Sequence, residues 1–427
     1  MLARAWLSLR VLLACTCTLI TSQQALAVDF ALTGFGTVGY AISDEKFRYL
    51  RYIDDDGTFK VDSLVGVQME AQFSPQWGAT LQVVASAPRS RDEGIEAKVR
   101  WAFLSYRPDN DWLLRVGRLR PPFLVHTQNA EVGVTYDQAR LPVEFYSISP
   151  VYDVDGAAVT KTWALDDAEI NVDAYGGTSN VHNRLTSERH PGGRRAVGLG
   201  FDPYASSRIA FAGVVVSHST KTLLLRAGVH RARVKFDQQL PRTFEPTQIP
   251  GPVPFGGIRW GIESELDKFH INVLTLGVDW RVGDWRVTGE YGRRDVKDAE
   301  ITVDSHSGYV TLARAVGSWT PYLTHARLLS GSTERKLYDQ VNSTPVPLAV
   351  QGPPFFLPAS FHRTVADTFL VFDQYSNMLG VSYGFSATSK LKFEWMQTKI
   401  GLRSTFVDGD VQDRRFNVFT LAYSFAF

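Results

Sequence analysis

Large apolar residues recur at every second position over stretches of about ten residues from Asp29 onward, the period that sends successive side chains to opposite faces of a β-strand. In the first stretch Phe30, Leu32, Val38, Tyr40 and Ile42 share one face, while Ala31, Thr33, Thr37 and Ser43 share the other. In the next, Val65, Val67, Met69, Ala71 and Phe73 alternate with Gly66, Gln68, Glu70 and Gln72. The split recurs as Leu81, Val83, Ala85 against Thr80, Gln82, Ser86; as Ile170, Val172, Ala174 against Glu169, Asn171, Asp173; and as Trp285, Val287, Tyr291 against Arg286, Thr288, Glu290. Near the end Leu379, Val381, Tyr383 and Phe385 alternate with Gly380, Ser382, Gly384 and Ser386. Residues 95–106 also show helical spacing in Ile95, Val99 and Phe103, but Ala97 and Trp101 alternating with Glu96, Lys98 and Arg100 read as a strand. With one face apolar and the other fit only for water, the chain is predicted to be all-β, a transmembrane antiparallel β-barrel with hydrocarbon outside and solvent within.

The connections alternate between tight and long. Residues 74–78, 108–111, 165–167, 283–284, 317–318 and 388–390 are short and rich in turn formers; residues 44–62, 120–156, 237–270 and 331–370 are long and rich in Pro, Gly and charge. Short periplasmic turns opposite long extracellular loops are the expected asymmetry of such a barrel. Seventeen stretches qualify as strands, and two ends on one side require an even number. The weakest, 196–201, is read as a loop extension before Ile209–Ser217, which leaves sixteen strands, with eighteen as the alternative. A barrel of that size encloses an aqueous channel.

Arg4 and Arg10, the apolar run Val11–Ile20 and Ala25-Leu26-Ala27 read as a cleaved secretory signal over residues 1–27, leaving 28–427 as a single barrel domain. The run is about half of the ~20 residues a spanning helix needs. A lipidation site at Cys15 would leave only Val11 to Ala14 as apolar core. Both cysteines, Cys15 and Cys17, lie in this segment, so no disulfide framework is expected after it. Its removal takes two basic residues and no acid, moving the formal net charge from +1 to −1. That balance points to neither nucleic acid nor an acidic partner.

The last stretch places Phe419, Leu421, Tyr423, Phe425 and Phe427 at alternate positions. It resembles the final strand by which outer-membrane assembly machinery recognises its clients, with Tyr423, Phe425 and Phe427 as the signal. Together with the alternation and the long loop after the fifth strand, it makes residues 28–427 similar to the Gram-negative porin family. The resemblance implies a homotrimer of sixteen-stranded barrels in the lipid of the bacterial outer membrane, passing small polar solutes or ions passively, with no cofactor and no catalysis. It also implies that residues 120–156 fold inward as a constriction loop. This segment holds Arg120-Pro121-Pro122-Phe123, Glu131, Tyr136, Asp137, Glu144, Tyr146, Asp153 and Asp155. The competing reading is a surface loop outside the pore.

The registers point Lys98 and Arg100 on the fourth strand, Arg115 on the fifth, Arg226 on the ninth, Arg286 on the eleventh and Arg327 on the thirteenth into the lumen. Arg118 and Arg120 fall at the mouth of the loop. Acids on such a loop, here Glu131, Asp137 and Glu144, would oppose this basic wall and set ion preference, with a lean toward anions. The simpler reading is a lumen of mixed charge, since Glu70, Glu96, Glu169, Asp173 and Glu394 share that face.

Gly34 to Gly39 match G-x-G-x-x-G and Gly380 to Gly384 match G-x-S-x-G, but both sit in alternating strands with no helix following, where small lumen-facing residues account for them. Asp54-Asp55-Asp56-Gly57 and Asp153-Val154-Asp155-Gly156 lack the later bidentate Glu of a calcium loop. No histidine pair has metal-ligand spacing, and His325 reads as a polar lumen residue. An outer-membrane hydrolase is the enzyme alternative, although no nucleophile-and-base constellation stands out. A channel specific for one organic solute is the other alternative. A plugged transporter finds no chain ahead of the first strand, and a β-propeller finds no repeat of ~40 to 50 residues.

Overall fold

The computed structural model describes residues 28–88, 94–149, 152–184, 204–297, 304–350, 361–366, 371–408 and 411–427, so the proposed signal segment and the stretch 196–201 lie outside it. Sixteen strands follow one another: β1 Asp29–Ser43, β2 Leu64–Gln72, β3 Trp77–Ser86, β4 Glu96–Tyr106, β5 Trp112–Leu119, β6 Val154–Ala164, β7 Ala168–Arg184, β8 Tyr204–Thr220, β9 Leu223–Ile249, β10 Gly257–Val282, β11 Trp285–Lys297, β12 Ser305–Arg314, β13 Trp319–Ser330, β14 Asp373–Ser386, β15 Ser389–Ile400 and β16 Arg414–Ala426. Each pairs antiparallel with its neighbours in sequence, and β16 pairs with β1 to close the barrel. Closure satisfies every strand edge, the condition for crossing hydrocarbon without unpaired backbone groups. No helix among the described residues is long and apolar enough to cross a membrane.

At the seam Gly34 and Phe427 exchange backbone hydrogen bonds of 2.8 Å. Gly34 and Gly36 lie on the outer face, beneath the rings of Phe427 and Phe425, where a β-carbon would collide with the ring. The first two glycines of the G-x-G-x-x-G match are therefore seats for outward aromatic rings, not the lumen-facing small residues expected, whereas Gly39 does lie on the inner face. Outward Trp77, Trp112, Trp163, Trp280, Trp285 and Trp319 all stand beside the short turns. A belt of rings at one level is what a membrane interface selects.

The strands are unequal in height. β5 has 8 residues and β2 has 9, whereas β9 and β10 have 27 and 26. Much of 237–270, expected as a long loop, is thus the upper part of a tall hairpin. The 331–370 connection carries two helices, α1 Ser332–Ser343 and α2 Phe361–Ala366. Along this tall side the polarity of the wall inverts. Near the turns Val214, Val216, Leu225, Val229, Leu274 and Leu276 face outward and are exposed. Higher up Arg231, Arg233 and Lys235 are outward, while Ile209, Phe211, Val234, Phe236, Ile271 and Val296 face inward and are buried. Past the hydrocarbon level nothing rewards an apolar outer face, and the inner face is covered by chain inside the barrel.

A bulge between Gln82 and Val83 of β3 and the facing residues of β4 resets the alternation at Arg100. Ala97 and Val99 are outward before it and Ala102 and Leu104 after it, so Trp101 and Phe103 turn inward. The reading of Trp101 as an outward residue is corrected accordingly.

Candidate functional site: the lumen and its crossing loop

The described residues of the connection between β5 and β6, 120–149 and 152–153, lie inside the barrel. Two guanidiniums and two carboxylates fasten its root. Buried Arg120 reaches Asp153 at 2.6 Å and Glu131 at 3.1 Å, and Arg100 on β4 reaches the same Glu131 at 2.8 Å and Asp153 at 3.3 Å. Burial opposes charge on Arg120, yet Glu131 and Asp153 hold its guanidinium above its ordinary pKa. Both ends of the loop are therefore tied to each other and to β4.

From Pro121 the loop crosses to the far wall. Phe123 packs against Phe211 and His230 with ring centroids 5.5 and 4.3 Å away, and the Arg226 guanidinium donates to the Leu124 carbonyl at 2.7 Å. Glu290 on β11 accepts three hydrogen bonds, from the Val125 N–H at 2.7 Å and from the hydroxyls of Tyr146 and Tyr309 at 2.6 and 2.9 Å. Further along, Asp137 receives Ser382 at 2.9 Å and Lys390 at 2.8 Å, with Arg286 at 3.9 Å. Burial alone would raise the Asp137 carboxyl, but these cations and the hydroxyl bring it below the usual carboxylate value. Arg140 grips Asp62 bidentately at 2.7 and 2.6 Å. The ammonium of Lys392 on β15 donates to the carbonyls of Gly133 and Gln138 at 2.6 and 2.9 Å and lies 4.2 Å from the Tyr136 ring centroid. A one-turn helix, α3 Val143–Tyr146, presents Glu144 to Gln374 at 2.7 Å and to the Ser376 hydroxyl.

The loop is consequently docked along the inner faces of β8 to β15, and its turn at Gly133 packs against β16 and β1. Its other edge is wet. Gln128 and Thr135 are exposed, and across from them lumen-facing Glu70 and Gln72 are exposed and Gln68 and Lys98 half-buried. Water thus meets the loop on one side and the wall of β2 to β5 on the other.

Of the residues expected at the pore, Lys98, Arg100, Arg115, Arg120, Arg226, Arg286, Glu131 and Asp137 do face the interior. Arg115 lies 3.9 Å from Asp173, and Arg286 is held bidentately by Asp279 at 2.8 and 2.6 Å. Glu144 is inside but does not line water: it is 0% exposed, and burial pushes its carboxyl up. Two expected lumen residues are outside. Arg118 shares its face with Leu114 and Val116, the latter 64% exposed, and pairs bidentately with outward Asp155 at 2.7 Å. Arg327 is outward and exposed, as is His325, which contacts Asn377. Both errors arise near the loop ends of their strands, where outward positions cease to be apolar and the polarity rule loses its sign. Lys390, Lys392, Arg140 and Asp279 were missed, although the first two alternate with outward Leu391 and Phe393 and carried the same period-two signal. Among the described residues no group of His, Cys, Asp and Glu is arranged to hold a metal ion.

No protein-family model matches the chain, and no curated protein matches it in sequence. Its fold does have solved counterparts. An anion-selective porin from Comamonas acidovorans superposes with a TM-score of 0.53 at 12% identity, over 94% of this chain and 100% of that one. OmpT, an outer membrane protein of Vibrio cholerae in a trimer form, gives 0.51 at 13% identity, over 94% of this chain and 100% of its own. OmpF of Salmonella typhi, solved with daunomycin, gives 0.51 at 10% identity, covering 93% of this chain and 97% of that one. The chain has the fold of these proteins: a porin-like, closed barrel of sixteen antiparallel strands.

Proposed function

We propose that the chain is an outer-membrane porin in which small polar solutes and ions diffuse between the docked loop and the wall of β2 to β5, and that it catalyses no reaction. The carrying observation is the lopsided docking: residues 123–146 are held chiefly to β8 to β15, with Glu131 also tied to Arg100 on β4 and Arg140 to Asp62, while Gln128, Thr135, Glu70 and Gln72 remain exposed. A segment that narrows an aqueous channel and does not seal it is a filter by radius and charge. In this reading Arg100 and Arg115, on the β4–β5 wall and each beside an acid, supply the weak anion preference. In the outer membrane the short turns would face the periplasm and the tall β9–β10 hairpin the exterior. Outward Tyr423, Phe425 and Phe427, whose neighbouring centroids are 6.1 and 6.4 Å apart, would serve as the assembly signal. A homotrimer is part of this reading.

The test is planar-bilayer recording of the purified protein. Stepwise openings are expected, with a reversal potential in a salt gradient that moves toward cations when Arg100 and Arg115 are both changed to Ala. A membrane that stays electrically silent retires the channel, and an unmoved reversal potential retires the anion preference alone.

A further inference from the structure

On the outer wall of the tall side, cross-strand pairing sets Arg208 beside Lys235 and Lys235 beside Lys268, and sets Arg233 beside His270 and His270 beside Lys297. One residue pair nearer the turns stands Arg231, and one further stands Arg293, opposite Leu274. Like charges directly opposite weaken a sheet. Asp295 is taken by Lys297 at 2.7 Å, and among the described residues no carboxylate pairs with Arg208, Arg231, Arg233, Lys235, Lys268 or Arg293, all of them exposed. Asp237, Asp304 and, nearer the tip of β9, Glu245 are the other described acids on this side.

Immediately below, the wall is hollowed. Small residues Ala174, Ala212 and Gly213 lie among Val214, Val229 and Leu274, forming an open apolar trough of about 630 Å³ whose upper lip is Arg231, Asn272, Arg293 and Asp295, the last already neutralised by Lys297. A second hollow of about 620 Å³ continues toward the turns past Val216, Leu225 and Leu276. An apolar channel capped by unpaired cations is complementary to one kind of molecule, an amphiphile with an acyl chain and a multiply anionic head. We infer that this face binds a phosphorylated lipid of the surrounding leaflet, its chain in the trough and its phosphates among Arg231, Arg233 and Arg293. Each cation near an anionic lipid surface favours binding, and the phosphates also relieve the like-charge rows. The inference rests on the barrel being embedded in a membrane and is independent of what the lumen passes.

The full barrel in a neutral detergent is titrated with bisphosphorylated lipid A, with the same lipid after phosphatase treatment, and with inorganic pyrophosphate. Retained lipid is counted by native mass spectrometry and stability is read by thermal unfolding. Lipid A is expected to be retained and to raise Tm, and the dephosphorylated lipid and pyrophosphate are expected to do neither. Arg231→Gln with Arg293→Gln should weaken retention at least tenfold, and so should Ala212→Trp, which fills the trough. Arg415→Gln, on the outer wall of β16, should not. Heat-modifiable mobility on a gel confirms that each variant is closed, and bilayer conductance should be the same in all. Undiminished retention in the double arginine variant overturns the site; equal stabilisation by pyrophosphate overturns its lipid character.

Discussion

Glu144 is the loop acid that sequence reasoning placed at the pore and that the fold uses as an anchor. Its Oε1 accepts from Gln374 and Ser376, with the side chain fully buried. Glu144→Ala strands both donors, at about 1–3 kcal/mol for the buried groups left unsatisfied. Detergent-solubilised protein should unfold several degrees lower, and Glu144→Gln, which keeps an acceptor, should recover most of the loss. Equal Tm values for Ala and Gln would show that the acceptor does not matter. His126 provides a pH readout of the same docking. Burial first, and then the nearby cation Arg286, bring its imidazole down to about 4, against the partial pull of Asp279 and its hydrogen bond from Asn129. Its folded pKa lies below its unfolded value near 6.5, so above that value both states are neutral and nothing is lost. As pH falls from about 6.5 to 4 the unlocked loop takes the proton and the docked loop does not, which weakens docking by up to ~3 kcal/mol. Open-channel noise should rise over that window, and His126→Phe should flatten the rise.

At the scale of elements, the strands were legible and the positions of their ends were not. Period two over β1, β2, β3, β7, β11 and β14 assigned inward and outward faces that the barrel reproduces, because hydrocarbon and solvent punish the wrong residue on either side. That pressure stops where the hydrocarbon stops, so Arg327 and His325 on β13 follow the same geometry with the opposite chemistry. The bulge at Arg100 reverses the face of Trp101, and one extra residue leaves no mark in composition. The loop was legible as a loop after β5 and as an inward one through the porin resemblance. Its partners were not, since Lys392, Tyr322 and Glu290 stand hundreds of residues away or wear the look of ordinary lumen side chains. A covalent tether checks the docking they produce. A β-carbon on Gly277 would lie 2.7 Å from the Val125 side chain. Val125→Cys with Gly277→Cys should therefore oxidise spontaneously and leave single-channel conductance unchanged, because the bond holds the loop where it already sits. Failure to cross-link, or a conductance that changes on oxidation, would mean the loop spends its time elsewhere.

For the whole molecule, wall and loop divide the tasks of closing and narrowing. Every strand of the barrel is hydrogen-bonded on both edges without help from residues 121–149, so replacing that segment with a short Gly-Ser linker should leave a closed barrel. The interior would not be indifferent. Phe211, Val215, Ile271, Val273 and Tyr309 are buried against the loop on faces that would otherwise meet lumen water. Each large apolar side chain returned to solvent costs about 1.5–3 kcal/mol, and Glu290, Lys392 and Glu394 would lose their loop partners while gaining water in exchange. The shortened protein should therefore conduct more and survive heat less, a pairing that neither effect alone produces. A higher conductance with unchanged Tm would mean the loop is a loose flap hung in the lumen. A lower Tm with unchanged conductance would place the narrowest point elsewhere, and the wet strip between Gln128 and Glu70 would cease to be the path.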